Sequence, residues 1–106
     1  MSSQIEDEIQ NKYQQAMDCL SQYEYENAIV HLKKVTSMLR DANSGNHIET
    51  KRSEGFCLSN IGDAYRNLGQ NENAIYYYQQ GLNIACEIKD QKRKGNRLNN
   101  IGLAYI

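Results

Sequence analysis

"NIGDAY" occupies residues 60–65 and "NIGLAY" occupies residues 100–105 of a chain of 106 residues, so one phrase returns at a spacing of 40. Extending the alignment sets Leu58, Ile61, Gly62, Ala64 and Tyr65 over Leu98, Ile101, Gly102, Ala104 and Tyr105, and every pair agrees in size class. A recurrence of roughly 34 to 47 residues built from two helices marks an α-solenoid, in which no unit buries its own apolar face and stacked neighbours make the core. Helix packing explains the letters. Gly62 has no side chain, so the following helix can approach it closely, while Leu58, Ile61 and Tyr65 share a stripe that fills the seam around it. Ala74 is the small residue at the crossing on the next helix, and Tyr78, one turn later, is the large one.

Working outward, the apolar residues fall at spacings of three and four, the helical period, and no segment alternates as a strand would. The chain lacks Pro, so Gly, Asn and Asp supply its punctuation. A first helix is expected over about residues 5–22, on a stripe of Ile5, Ile9, Tyr13, Ala16, Met17 and Leu20. "SQYEYEN" (21–27) turns into a second helix carrying Ala28, Ile29, Leu32, Val35, Met38 and Leu39. "RDANSGN" (40–46) is the longest polar, Gly-containing stretch and reads as a loop. The third helix, to about Leu68, carries Ile48, Phe56, Leu58, Ile61, Ala64 and Tyr65. Gly69 can take the left-handed conformation that ends a helix, and Asn71 can cap the fourth. That helix contains Ala74, Ile75, Tyr78, Leu82, Ala85 and Ile88, and a fifth follows the break at Lys89-Asp90. Short turns force each pair of helices antiparallel. The reading is thus all-α, one domain: a first repeat over about 5–41, a loop at 42–47, a second repeat over about 48–89, and the first helix of a third over about 91–106.

Composition excludes several classes of function. A net charge of −1, with 24% charged residues, provides no global field toward nucleic acid or an anionic membrane. The acidic, polar start resembles neither a signal nor a transit peptide, and no apolar run approaches membrane-spanning length, so an intracellular protein, cytoplasmic or cytoskeleton-associated, is expected. Cys19, Cys57 and Cys86 form no C-x-x-C pair and are an odd set, which favours reduced, buried thiols. His31 and His47 have no Cys, Asp or Glu at metal spacing, Gly62, Gly69 and Gly81 do not form a phosphate loop, and no nucleophile has a His partner. The chain therefore reads as no enzyme, with no metal or cofactor. "KDQKRKGNR" (89–97) holds five basic residues in nine, and a solvated corner is the favoured reading. Of the run Tyr76-Tyr77-Tyr78, Tyr78 is expected in the core and Tyr76 or Tyr77 at the surface.

"LSNIGDAYRNLGQNENAIYYYQQGLNIA" (58–85) resembles a tetratricopeptide repeat. Leu58 stands in the bulky first slot, Ile61-Gly62 in the Leu-Gly pair, Tyr65 in the aromatic slot, and Ala74 and Tyr78 in the second-helix slots. Gly81 replaces the usual Ala, and Cys86 lies where a terminal Pro is usual. The spacing of 40 and the "EIKDQKRKG" stretch resemble the longer-helix variety of spindle-orientation adaptors of the G-protein-signalling-modulator class and, more distantly, of kinesin light chains. The first repeat is degenerate, with Ala16 in the Gly slot and Cys19 in the aromatic slot. An α-solenoid of about two and a half repeats, five helices in all, is what the resemblance implies.

In that family the inner face of each first helix lines a concave groove. Carried over residue by residue, this face holds Tyr13, Gln14 and Met17, then Ser59, Asn60, Asp63, Arg66 and Asn67, then Asn96, Asn99, Asn100 and Leu103. Asn amides both donate and accept, so they can pair with the backbone of an extended peptide. Asn60 and Asn100 share one slot beside the Gly, a slot such adaptors use for peptide contact. A chaperone-tail receptor would need Lys and Arg where Tyr13, Met17, Asn96 and Asn100 stand, and is disfavoured. The expected function is a non-catalytic interaction scaffold, a small subunit of a multi-protein assembly. The last helix presents Leu98, Ile101, Tyr105 and Ile106 with no helix after it, and each apolar side chain left in water forfeits about 1.5–3 kcal/mol. A partner covering that face, or self-association through it, follows. The alternatives are an adaptor gripping an extended peptide in the groove and, third, a regulatory peptide sensor.

Overall fold

The computed structural model describes residues 3–42, 48–89, 95 and 98–102. Four helices, α1 (Ser3–Ser21), α2 (Tyr25–Ala42), α3 (Ile48–Asn67) and α4 (Asn71–Glu87), run in chain order. Residues 98–102 are also helical, and among the described residues there is no strand. Each helix packs on the next: α1 on α2, α2 on α3, α3 on α4. Of the loop expected at 42–47, Ala42 is still in α2, and 43–47 lie outside the described residues, as do most of the basic cluster, His47 and Asn96.

Two turns join the helices in pairs, and they are alike. After α1, the amide of Glu24 donates to the carbonyl of Cys19 at 2.8 Å and that of Tyr23 to Leu20 at 3.1 Å. After α3, Gln70 donates to Tyr65 at 2.9 Å and Gly69 to Arg66 at 3.0 Å. Both are the paired closure of a helix C-terminus that requires one left-handed residue. Gly69 supplies it with φ 77°, as its sequence position suggests, but Tyr23 supplies it with φ 60°, and Lys89 repeats the conformation after α4 with φ 58°. The cap of α4 differs from expectation. Asn71 is already helical, Gln70 holds the N-cap position without a side-chain cap bond, and the Asn73 amide donates to the Gln70 side chain at 2.9 Å.

The core follows the small-to-large pattern of the sequence. Ala16, Ala28, Leu32, Ile61, Ala64, Ala74 and Tyr78 are fully buried. The Tyr78 ring lies flat against Gly62, so close that a Cβ built there would stand 2.6 Å from two ring carbons. Its hydroxyl donates to Asp63 Oδ1 at 2.5 Å. Across α2 and α3, Arg40 Nε meets Glu54 Oε2 at 2.7 Å, and Lys51 Nζ meets Glu87 Oε2 of α4 at 3.2 Å. Lys33 Nζ donates to the Tyr65 hydroxyl at 3.0 Å and stands 5.5 Å from the centroids of the stacked Tyr65 and Tyr77 rings. The hydrogen bond to Tyr65 holds the Lys33 ammonium above its usual pKa against the opposing effect of burial, with the Tyr77 hydroxyl adding to the rise.

Several expectations need correction. Ile5, Ile48 and Phe56, placed on core stripes by their spacing, are exposed. Of the three free thiols only Cys57 is buried; Cys19 is half-buried and Cys86 is exposed. In the tyrosine run Tyr78 is core and Tyr76 is 62% exposed. Tyr77 is half-buried and stacks on Tyr65 of α3, so two of the three rings meet α3 and Tyr76 turns outward.

Candidate interaction site

The site predicted on the first helix of each pair divides into parts. Tyr13 and Met17 are half-buried and pack against the core cluster shared by α1, α2 and α3. Burial pushes the Tyr13 phenol above its ordinary pKa, with neighbouring Cys57 adding to the shift. Asp63 is taken up by the Tyr78 hydroxyl, so one oxygen of that carboxylate serves packing. Arg66 is half-buried, and its positive charge opposes the upward shift that burial and Asp63 impose on Tyr78. Asn67 turns its amide back onto the carbonyl of Asp63 at 2.8 Å, within its own helix.

Asn60 stands apart. It is half-buried, and its side-chain Nδ2 is shielded from solvent with no hydrogen-bond partner. A buried amide donor left unpaired costs about 1–3 kcal/mol. Asn99 is exposed and Asn100 half-buried, on the helical residues 98–102.

The predicted open face at residues 98–106 is only partly open. Ile101 packs on Ala74 and Tyr78, so it belongs to the core seam and is not a free surface residue. Leu98 remains 52% exposed. A Cβ at Gly102 would have nothing within 4 Å, in contrast to the crowded Gly62. Leu103, Tyr105 and Ile106 lie outside the described residues.

A cleft of about 270 Å³ opens between α1 and α3, with α2 as its floor. Ile9, Gln10 and Tyr13 form one wall, Val35 and Leu39 the floor, and Arg52, Ser53, Phe56 and Cys57 the other wall. Burial, reinforced by the Glu54 carboxylate, pushes the Cys57 thiol up to about 12, so it lines the cleft as a neutral, apolar group. Sequence reasoning did not single out this cleft. The signal was present in part: Ser53, Phe56 and Asn60 recur at spacings of three and four, which places them on one face of α3. A second depression of about 260 Å³, between α2 and α4, is lined by Lys33, Arg40, Tyr76, Tyr77 and Gln80 among others. Its cations are already engaged, Lys33 by Tyr65 and Arg40 by Glu54.

Among the described residues, no three His, Cys, Asp or Glu side chains gather as a metal site. None of the described helices is long and apolar enough to cross a membrane. No family model, curated protein or solved structure matches the chain.

Proposed function

We infer that the chain is a tetratricopeptide-like interaction scaffold: a non-catalytic α-solenoid of about two and a half repeats that serves inside the cell, in the cytoplasm or on the cytoskeleton, as a small subunit joining other proteins. One observation carries this reading. The two helical hairpins use the same turn and the same small-to-large pairing at positions 46 apart: Ala16 with Leu32 in the first, Gly62 with Tyr78 in the second, Ala28 and Ala74 at equivalent places. A unit built to be repeated is a unit built to present a continuous surface.

The partner surface this reading favours is the face around Leu98 and Gly102, where an exposed leucine adjoins a glycine with open space above it. A helix from another subunit, or from a second copy, would lay a large side chain over Gly102 as Tyr78 lies over Gly62. The second reading is an adaptor gripping an extended peptide along the face of α1 and α3 that carries Tyr13, Met17 and Asn60.

Co-purification of partners with the tagged chain, followed by their recovery on variants, separates the two. Leu98→Asp should abolish recovery if the end face is used, and Asn60→Ala with Asn100→Ala should weaken it if the groove is used. Undiminished recovery on both variants would remove both surfaces. Sedimentation of the purified chain tests self-association: a strictly monomeric species at all concentrations would rule it out.

A further inference from the structure

The depression between α2 and α4 shares no lining residue with the α1–α3 cleft, and its charge is of one sign. Leu58 and Ile61 of α3 close its floor, Lys33, Ser37 and Arg40 stand on the α2 wall, and Tyr76, Tyr77 and Gln80 on the α4 wall. Lys33, Ser37 and Arg40 are spaced four and three residues apart, so they share one face of α2, with about 10 Å of helix axis between the two cations. Among the described lining residues there is no carboxylate, although the chain as a whole carries a net charge of −1. The depression therefore attracts an anion that the rest of the chain does not.

Its donors are held in place without being used up. Lys33 donates to the Tyr65 hydroxyl, a neutral acceptor, and no carboxylate among the described residues pairs with it. An ammonium has three donors, so its charge and part of its bonding capacity stay open. Glu54 takes the Nε–H of Arg40 at 2.7 Å, while Nη2 faces Gln80 Oε1 across the depression at 3.5 Å. The aromatic wall is fixed too. Tyr77 stacks on Tyr65 with centroids 5.5 Å apart, Tyr76 stands edge-on to Tyr77 at 5.2 Å, and Tyr76 remains 62% exposed. An exposed ring beside a cation 5.5 Å from the Tyr77 centroid suits a ligand in which a flat ring and an anion are directly joined. The volume, about 260 Å³, lies below the roughly 300–1,000 Å³ of pockets that enclose drug-sized ligands. One ring with one anionic group fits that size better than a nucleotide, whose base and phosphate are parted by a sugar. A phosphate monoester brings close to two negative charges at neutral pH and three acceptor oxygens, matching two cations, the Ser37 hydroxyl and the Gln80 amide; a carboxylate brings one charge and two oxygens.

We propose that the α2–α4 depression is a phosphotyrosine site: Lys33, Ser37 and Arg40 hold the phosphate of a partner protein's phosphotyrosine, and its ring packs on Tyr76 above the floor of Leu58 and Ile61. This rests on the reading of the chain as an interaction module. It adds to that reading the chemistry of one partner residue, on a surface that includes neither Leu98 and Gly102 nor any of the predicted groove residues.

The test titrates the full ¹⁵N-labelled chain to millimolar concentration with blocked phosphotyrosine, Ac-pTyr-NH2, beside blocked tyrosine, blocked phosphoserine, inorganic phosphate and adenosine monophosphate. Phosphotyrosine should shift the amides of residues 37, 40, 76, 77 and 80, with the other four compounds at least about tenfold weaker. Its affinity should fall about threefold or more between about 50 and about 500 mM salt. Lys33→Gln should weaken phosphotyrosine binding about tenfold. Tyr76→Ala, at an exposed residue, should weaken it about fivefold and leave the response to inorganic phosphate unchanged, whereas a merely structural effect would move both. Equal response to tyrosine or to inorganic phosphate, a nucleotide bound as tightly, shifts confined to other faces, or no shift at all would overturn the site. The wider interaction reading is judged separately, by recovery of partners on Leu98→Asp and on Tyr76→Ala: loss on the first with full retention on the second, and no response to phosphotyrosine, keeps the scaffold and removes the site.

Discussion

The contact between Gly62 and Tyr78 makes the sharpest demand on the sequence, and replacing the glycine by alanine measures it. A Cβ at position 62 would lie 2.6 Å from Cδ1 and Cε1 of Tyr78 and 3.1 Å from Cζ. Carbon atoms in good contact sit about 3.5–4.0 Å apart, so ring or helix must retreat by about 1 Å. The ring has little room to retreat, being fully buried with its hydroxyl held by Asp63. Overpacking of this kind costs about 1–3 kcal/mol, while alanine in a helix gains about 0.5–1 kcal/mol over glycine, so Gly62→Ala should destabilise by about 1–2 kcal/mol net. In a domain of this size each kcal/mol lowers Tm by about 4–8 °C. Gly102→Ala is the internal control, because nothing lies within 4 Å of the added atom and only the propensity gain remains. Urea unfolding followed by circular dichroism should move the two midpoints in opposite directions at unchanged slope. A further variant transplants the first hairpin's pairing into the second. Gly62→Ala with Tyr78→Leu reproduces the buried Ala16 and Leu32, and should be more stable than the sum of its parts by about 1 kcal/mol or more. Strict additivity, or a Gly62→Ala protein as stable as Gly102→Ala, would refute the close-approach argument.

Other outcomes follow from the turns, the ion pair and the thiols. Gly69→Ala should cost about 1 kcal/mol by forcing a Cβ into the left-handed region, whereas Lys89→Gly should be neutral or stabilising by less than about 1 kcal/mol; both are read from thermal unfolding. Arg40→Ala strips the partner from Glu54, which is only 8% exposed, and should cost about 1–2 kcal/mol, discounted because the Arg40 side chain is itself half in water; the loss should shrink in 1 M salt. Cys57, raised from 9.0 to about 12 in the fold, favours the protonated form there, so its contribution is complete below about pH 9 and is lost as pH rises toward about 12. Alkaline urea titrations should show this fall flattened in Cys57→Val, and thiol labelling at neutral pH should modify exposed Cys86 at once and Cys57 only on unfolding.

What was legible in the sequence is what a single helix determines about itself. The stripes of Leu32, Val35 and Leu39, or of Leu58, Ile61 and Ala64, are buried because 3.6-residue periodicity puts them on one face, whatever lies opposite. Gly69 announced its turn because glycine is the residue that takes positive φ without strain. Tyr23 and Lys89 take the same conformation unannounced, since there the hydrogen bonds of the turn outweigh the cost to a Cβ, and that balance is not written in either residue. The misplacements share a different cause. Phe56 and Ile48 have core spacing, but they occupy the N-terminal half of α3, where exposure depends on how far α1 and α2 extend beside it. Ile101 was expected in the open, and its partners prove to be Ala74 and Tyr78, more than twenty residues earlier. The cleft is the extreme of this kind. Its walls come from residues 9–13 and 52–57 and its floor from residues 35 and 39, so its existence depends on the distance between two helices that a third holds apart. Shifting α1 toward α3 by the width of one methyl group would erase the cleft without altering any periodicity. Substitutions on the floor, such as Val35→Ala or Leu39→Ala, therefore test the cleft's geometry more directly than substitutions on the rim, because they change the spacing of the walls while leaving every rim side chain in place.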